Sequence, residues 1–140
     1  MFITRGTRHD KPDVQEFLAA HGWGNSNVDE GTIFLARDGN VAGCVKLVEV
    51  APQTVVVDDM LVRDGRRREG IGSALMNAAM NSRGGTLYLC CHEETIKFYD
   101  GFGFVLVDEG DLPPPVVTYL EAVDDIPAPE GHVHYFMKAR

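Results

Sequence analysis

The stretch RRREGIGSAL, Arg66 to Leu75, sets three arginines and two glycines directly before an apolar segment, in a chain that is acidic as a whole. The residues before it, TVVVDDMLVR (54–63), are β-branched and apolar and read as a strand. After it, Ile71, Leu75 and Ala79, with Met76 and Met80, recur at three- to four-residue spacing and predict a helix that stops at the RGG of 83–85. A strand that turns through glycine into a helix leaves the first-turn N–H groups without intrahelical partners, and the helix dipole adds to their attraction for anions. Gly70 and Gly72 carry no Cβ to hold a phosphate off the backbone, and Arg66, Arg67 and Arg68 add positive charge. The hinge reads either as a pocket for a phosphate-bearing ligand or as a solvated turn. It has neither the G-x-x-x-x-G-K-[ST] of a P-loop nor the G-x-G-x-x-G of a dinucleotide fold.

Working outward, MFITR (1–5) is a short β-rich run, and a helix is expected after Asp10, with Pro12 in its first turn, Val14, Phe17, Leu18 and His21 on one face and Gly22 as its stop. TIFLAR and VAGCVKLVEV are strands joined at the DGN turn, and with TVVVDDMLVR they make an antiparallel meander. Beyond the hinge helix, TLYLCC is a strand, EETIKFYDGFG a short helix closed by glycine, and FVLV another strand, an alternation that predicts βαβ crossovers. From Asp108 to Glu130 the chain has seven carboxylates, five prolines and no lysine or arginine. It reads as a long acidic connection with a strand at VVTYLEAV. HVHYFMKAR alternates as a closing strand.

With 140 residues, 44% of them hydrophobic, the chain fits one domain, 1–140, with one core. Its net charge of -8 and pI near 5.0 speak against a nucleic-acid surface and favour cationic small molecules. No stretch approaches the roughly 20 apolar residues of a membrane span, and MFITRGTRHDKP lacks a signal-peptide core; a cytoplasmic protein is expected. Cys44, Cys90 and Cys91 lack C-x-x-C spacing and read as free thiols. His132 and His134 stand at i, i+2, but with no third ligand visible they read as surface residues, and no metal is expected.

DDMLVRDGRRREGIGSALM, followed by a strand and then HEETIKFYDGFGF, resembles the GNAT superfamily of acyl-CoA-dependent N-acyltransferases. Arg67, Gly70 and Gly72 match its R/Q-x-x-G-x-G/A signature, and FYDGFGF is similar to its F-Y-x-x-x-G-F. The resemblance covers most of the chain. It implies an α/β (α+β) fold with a central, mixed but mostly antiparallel, twisted sheet of about six or seven strands flanked by helices, splayed between the fourth and fifth. It also implies transfer of acetyl from acetyl-CoA to a primary amine by direct attack in a ternary complex. The pyrophosphate of coenzyme A would be held by Arg67, Arg68, Glu69, Gly70, Ile71, Gly72 and Ser73, and its pantetheine arm would lie along Met60, Leu61 and Val62. The N–H of Met60 would face the thioester oxyanion.

The resemblance makes Tyr99 the acid that protonates the departing thiolate; without it, Tyr99 reads as a core aromatic. An alkylammonium acceptor, with a pKa near ~10.4, must also lose a proton. Strand alternation puts Asp58 on the face of Val56, Met60 and Val62 and Asp59 on the other, so Asp58 is the candidate base, with substrate anchoring or a structural role as the competing reading. Glu49 is a second candidate. The chain departs from the family at His92, where many members have an asparagine that contacts coenzyme A, and at Glu69, where the position is often basic. The expected acceptor is a small-molecule or peptide amine; the acidic 108–130 segment reads either as a rim that attracts a cationic one or as a solvated face, and the chain is a monomer or homodimer. The competing class is a GNAT-fold regulator that binds acyl-CoA and a protein partner and transfers nothing.

Overall fold

The computed structural model describes residues 2–140. Met1, the first residue of the expected opening strand, lies outside them. The strands are β1 (Phe2–Arg5), β2 (Thr32–Asp38), β3 (Asn40–Ala51), β4 (Thr54–Val62), β5 (Thr86–Cys91), β6 (Val105–Val107) and β7 (Tyr135–Ala139). The helices are α1 (Lys11–Ala20), α2 (Ile71–Asn81), α3 (Glu93–Asp100) and α4 (Pro114–Ala122). The strands form a mixed sheet of seven strands, as the resemblance implies, and their order is β1-β2-β3-β4-β5-β7-β6. β1, β2 and β3 pair antiparallel in sequence; β4 and β5 pair in parallel, Thr54–Val56 against Thr86–Tyr88; β7 then inserts antiparallel between β5 and β6. Among the described residues no helix is long and apolar enough to cross a membrane.

The backbone divides into two compact units, Met1–Val48 with Asp58–Arg83, and Glu49–Val57 with Gly84–Arg140. In the first, the α1 stripe reads as its spacing predicts: Val14, Phe17 and Leu18 are buried in a cluster with Ile33, Leu35, Val41, Cys44 and Leu61. Each such side chain is worth about 1.5–3 kcal/mol of apolar burial. Gly43 lets β3 and α2 come close, since a Cβ there would stand 3.0 Å from the Leu61 carbonyl oxygen and 3.1 Å from Ile71 and Leu75. On α2, Ile71, Leu75, Met76 and Ala79 are buried.

In the second unit, β5 alternates as a half-covered strand should, burying Leu87, Leu89 and Cys91. Two expectations fail here. VVTYLEAV is not a strand: it is most of α4, which starts at Pro114 after a 3-10 turn at Glu109–Asp111. Prolines suit the first helical turn, where no N–H partner is lost, and Val116, Tyr119 and Leu120 then bury one face at i, i+3, i+4. The helical period of the apolar residues, rather than the β-branched content of VVTYLEAV, decides its form. The closing strand also starts later than expected, at Tyr135, leaving His132 and His134 in the segment before it.

Candidate active site

The chain leaves β4 at Val62 and reaches α2 at Ile71 through a loop in which Gly65, Arg68 and Gly70 take left-handed φ values of 84°, 70° and 79°. Gly70 is the N-cap of α2, and no side chain caps the helix. The first helical hydrogen bond runs from Ala74 N–H to Gly70 O at 3.0 Å, so the N–H groups of Ile71, Gly72 and Ser73 precede the ladder. This exposed turn has the donors and the dipole that an anion requires. Gly70 is needed there for its φ rather than for space: a Cβ built on it meets nothing within 4 Å.

The three arginines divide their work differently from the sequence reading. Arg66 donates to both oxygens of Asp38, at 3.1 and 2.8 Å, and through Nε to both oxygens of Glu69, at 3.1 and 2.9 Å. The Asp38 hydrogen bonds, followed by those to Glu69, raise the guanidinium's affinity for its proton further. Arg66 is thus a strut that ties the hinge to the end of β2, and Glu69 is directed to it. Arg67, exposed, pairs with Asp64 at 3.2 Å. Among the described residues, no ion pair occupies Arg68.

β4 carries a break that simple alternation does not foresee. Asp59 has a φ of 52°, the left-handed region that aspartate tolerates better than most residues, so the faces assigned on either side of it do not follow strict period two. Its N–H donates to Asp58 Oδ1 at 2.8 Å. The Asp59 carboxylate accepts from Ser26 Oγ at 2.8 Å and lies 3.3 Å from Nζ of Lys46, a side chain only 2% exposed. Lys46 also donates to the Asn27 carbonyl at 3.2 Å and stands 3.8 Å from Glu30. Burial, and next the charge of Asp58, raise the Asp59 carboxyl above its ordinary value in spite of Lys46. Cys44 Sγ donates to the Asp59 carbonyl at 3.4 Å, and burial pushes that thiol up to about 12, so it is an inert thiol.

The Lys46, Asp59 and Ser26 network went unread in the sequence, although one signal was there. A single lysine in the apolar strand VAGCVKLVEV must either face water or find a buried carboxylate. Asp58, half-buried, stays on β4 with Met60 and Val62, also half-buried, and with buried Leu61. Glu49 is exposed.

Tyr99 and His92 belong to the second unit. Tyr99 is buried near the end of α3, its ring edge-on to Phe98 at 5.0 Å and to Phe104 at 5.8 Å. Its carbonyl accepts the N–H groups of Phe102 and Phe104, and Gly103, at φ 88°, closes the turn. FYDGFGF is therefore a helix stop with an aromatic cluster. His92 is the exposed N-cap of α3, with its ring 5.0 Å from that of His134. Seven residues of helix put it about 10 Å from Tyr99 along the axis.

A family model described as an acetyltransferase (GNAT) domain matches residues 29–106. No curated protein matches the sequence at a significant level. Among solved structures, the chain is similar to a GNAT-family acetyltransferase from Streptococcus pneumoniae TIGR4, with 28% identity over 80% of this chain and 92% of the other and a TM-score of 0.65. It is similar in fold to a Mycobacterium tuberculosis protein solved with CoA, with 16% identity over 99% and 98% of the two chains and a TM-score of 0.72. An aminoglycoside 6'-N-acetyltransferase solved with coenzyme A is alike to the same degree, with 16% identity over 99% and 96% and a TM-score of 0.72.

Proposed function

Because the chain belongs to the acetyltransferase (GNAT) family, we propose that it transfers acetyl from acetyl-CoA to a primary amine by direct attack in a ternary complex, residues 1–140 acting as one acyltransferase domain. The observation that carries this reading is the left-handed loop into the uncapped N-terminus of α2, which suits a pyrophosphate. The N–H groups of Ile71, Gly72 and Ser73 receive the phosphate oxygens, and Arg67 and Arg68 supply charge at the rim. Arg66, shared between Asp38 and Glu69, holds the Glu69 carboxylate against its guanidinium and keeps the loop in shape.

Met60, Leu61 and Val62 offer the β4 backbone to the pantetheine arm. The Met60 N–H holds the thioester oxygen as it becomes an oxyanion. Asp58 accepts the ammonium proton, the freed amine attacks the thioester carbon, Tyr99 gives its phenolic proton to the sulfur as the C–S bond breaks, and the proton left on the acylated nitrogen returns through solvent to the Tyr99 phenolate. Tyr99 takes this role from its position in FYDGFGF, and Asp58 takes the role of base in preference to Asp59, whose carboxylate is committed to Ser26 and Lys46. The acceptor is a small-molecule or peptide amine, and the negative net charge favours a cationic one.

Calorimetric titration with acetyl-CoA and with free coenzyme A tests the hinge. Micromolar binding of both is expected, followed by thiol release with polyamines, amino acids, aminoglycosides or lysine peptides. Binding without turnover on any amine assigns the chain to the regulator class. No binding of either ligand overturns the reading.

A further inference from the structure

In the second unit, the ladder between β5 and β7 ends with Cys91 opposite Tyr135. One residue beyond this pair stand His92 and His134, so the register that builds the strand pair also brings these two imidazoles together, edge-on at an interplanar angle of 84°. His132 is two residues before His134. The ring centroids are 5.0 Å apart for His92 and His134, 5.7 Å for His92 and His132, and 6.5 Å for His132 and His134. One nitrogen from each ring lies within 4.8 Å of the others. The third ligand that the pair at 132 and 134 lacked in the sequence is thus supplied from 40 positions away by the N-cap of α3.

The tautomer of one ligand is fixed. His134 Nδ1 stands 2.8 Å from the Asp125 carbonyl oxygen, which can only accept, so Nδ1 carries the proton and donates. That leaves the Nε2 lone pair free to bind, the arrangement in which a metal-binding imidazole is held by a carbonyl on its other nitrogen. His92 and His132 are exposed, so an ion and its water can reach them.

We propose that His92, His132 and His134 form a binding site for a divalent first-row metal ion, zinc above all, which pins the segment before β7 to the start of α3. Three neutral imidazoles and an open fourth position suit zinc, with nickel, cobalt and copper as competitors, and do not suit magnesium or calcium, which take oxygen donors. Metal–nitrogen bonds of about 2.1 Å put the ligand nitrogens about 3.4 Å apart in a tetrahedral site, so small rotations of two exposed rings close the cluster. A second trio, Cys90, Asp125 and His134, shares His134. It would need a thiolate from Cys90, and the three-imidazole set needs no ionisation of a thiol.

The test uses chelator-stripped, tag-free protein without acetyl-CoA, so its result is independent of the acyl-transfer reading. Zinc is titrated by calorimetry and cobalt by absorption. One ion per chain is expected, with H92A and H132A each weakening zinc at least tenfold and C90S leaving it unchanged. Circular dichroism of H92A and H132A, both at exposed positions, checks that they fold. Absence of zinc binding, a wild-type affinity in H92A, or a thiolate-to-cobalt charge-transfer band lost in C90S each overturns the proposal.

Discussion

At the scale of single residues, the roles we propose for Tyr99 and Asp58 are separable. With Tyr99→Phe, kcat is expected to fall about a hundredfold or more while the calorimetric Kd for acetyl-CoA holds, because only the departing thiolate loses its proton donor. An undiminished kcat removes Tyr99 from the chemistry. Asp58→Asn should flatten the acidic side of the pH–rate profile; a change confined to KM makes Asp58 a substrate anchor. Lys46 serves stability. Lys46→Met strands the Asp59 carboxylate in a site only 11% exposed, and a loss of about 3–5 kcal/mol is expected at pH 7 from urea unfolding. The sign of its pH dependence follows from linkage. Asp59 already has a folded-state pKa above its unfolded value, and removing the cation raises it further, so the penalty is full above the variant's folded pKa. It shrinks as the pH falls through that pKa toward 3.8, where both states bind the proton. A penalty that grows on acidification would mean that Lys46 does not hold Asp59 as an ion pair.

Among the elements, α2 is the one whose start we propose as the pyrophosphate site. Gly70→Val forces a β-branched residue to φ 79°, at a cost of about 1–2 kcal/mol, yet the new Cβ meets no neighbour within 4 Å, so the fold survives. Relaxation of the strained turn should misalign the N–H groups of Ile71, Gly72 and Ser73 and weaken acetyl-CoA binding about tenfold. A Kd equal to that of the parent chain, in a variant shown to be folded, excludes this helix start as the pyrophosphate site. α4 teaches the complementary lesson about legibility. Its three successive prolines, Pro113, Pro114 and Pro115, are the mark of a first turn, and Val116, Tyr119 and Leu120 have helical spacing. The β-branched residues of VVTYLEAV favour a strand, a preference that context overrides easily.

For the whole molecule the net charge of -8 is the feature with the longest reach. Steering by such a field acts on the encounter rate and is screened over about 10 Å at 0.1 M salt. For a polycationic acceptor, kcat/KM is expected to fall several-fold between low and physiological salt, while a neutral or zwitterionic amine shows little change. Equal salt dependence for both would make the acidic 108–130 segment an ordinary solvated surface. Acetyl-CoA, if it binds the folded chain alone, should also raise the melting temperature in proportion to the logarithm of its concentration.

Local signals were enough to read the hinge and the helix stop. RRREGIGSAL needs only the chemistry of free N–H groups and of glycine at a left-handed φ, and FYDGFGF needs only a turn that Gly103 can make; both act within a few residues. The strand and helix periods followed from burial of one face, with α4, the break at Asp59 in β4 and the later start of β7 as exceptions. What tertiary structure alone decided are the pairings of distant charges and rings. Arg66 found Asp38 28 positions away, Asp59 found Ser26 33 positions away, and His92 met His134 because Cys91 pairs with Tyr135. Each of these depends on strand register, and register is set by the sum of many weak apolar contacts across the sheet, which no short stretch of sequence contains.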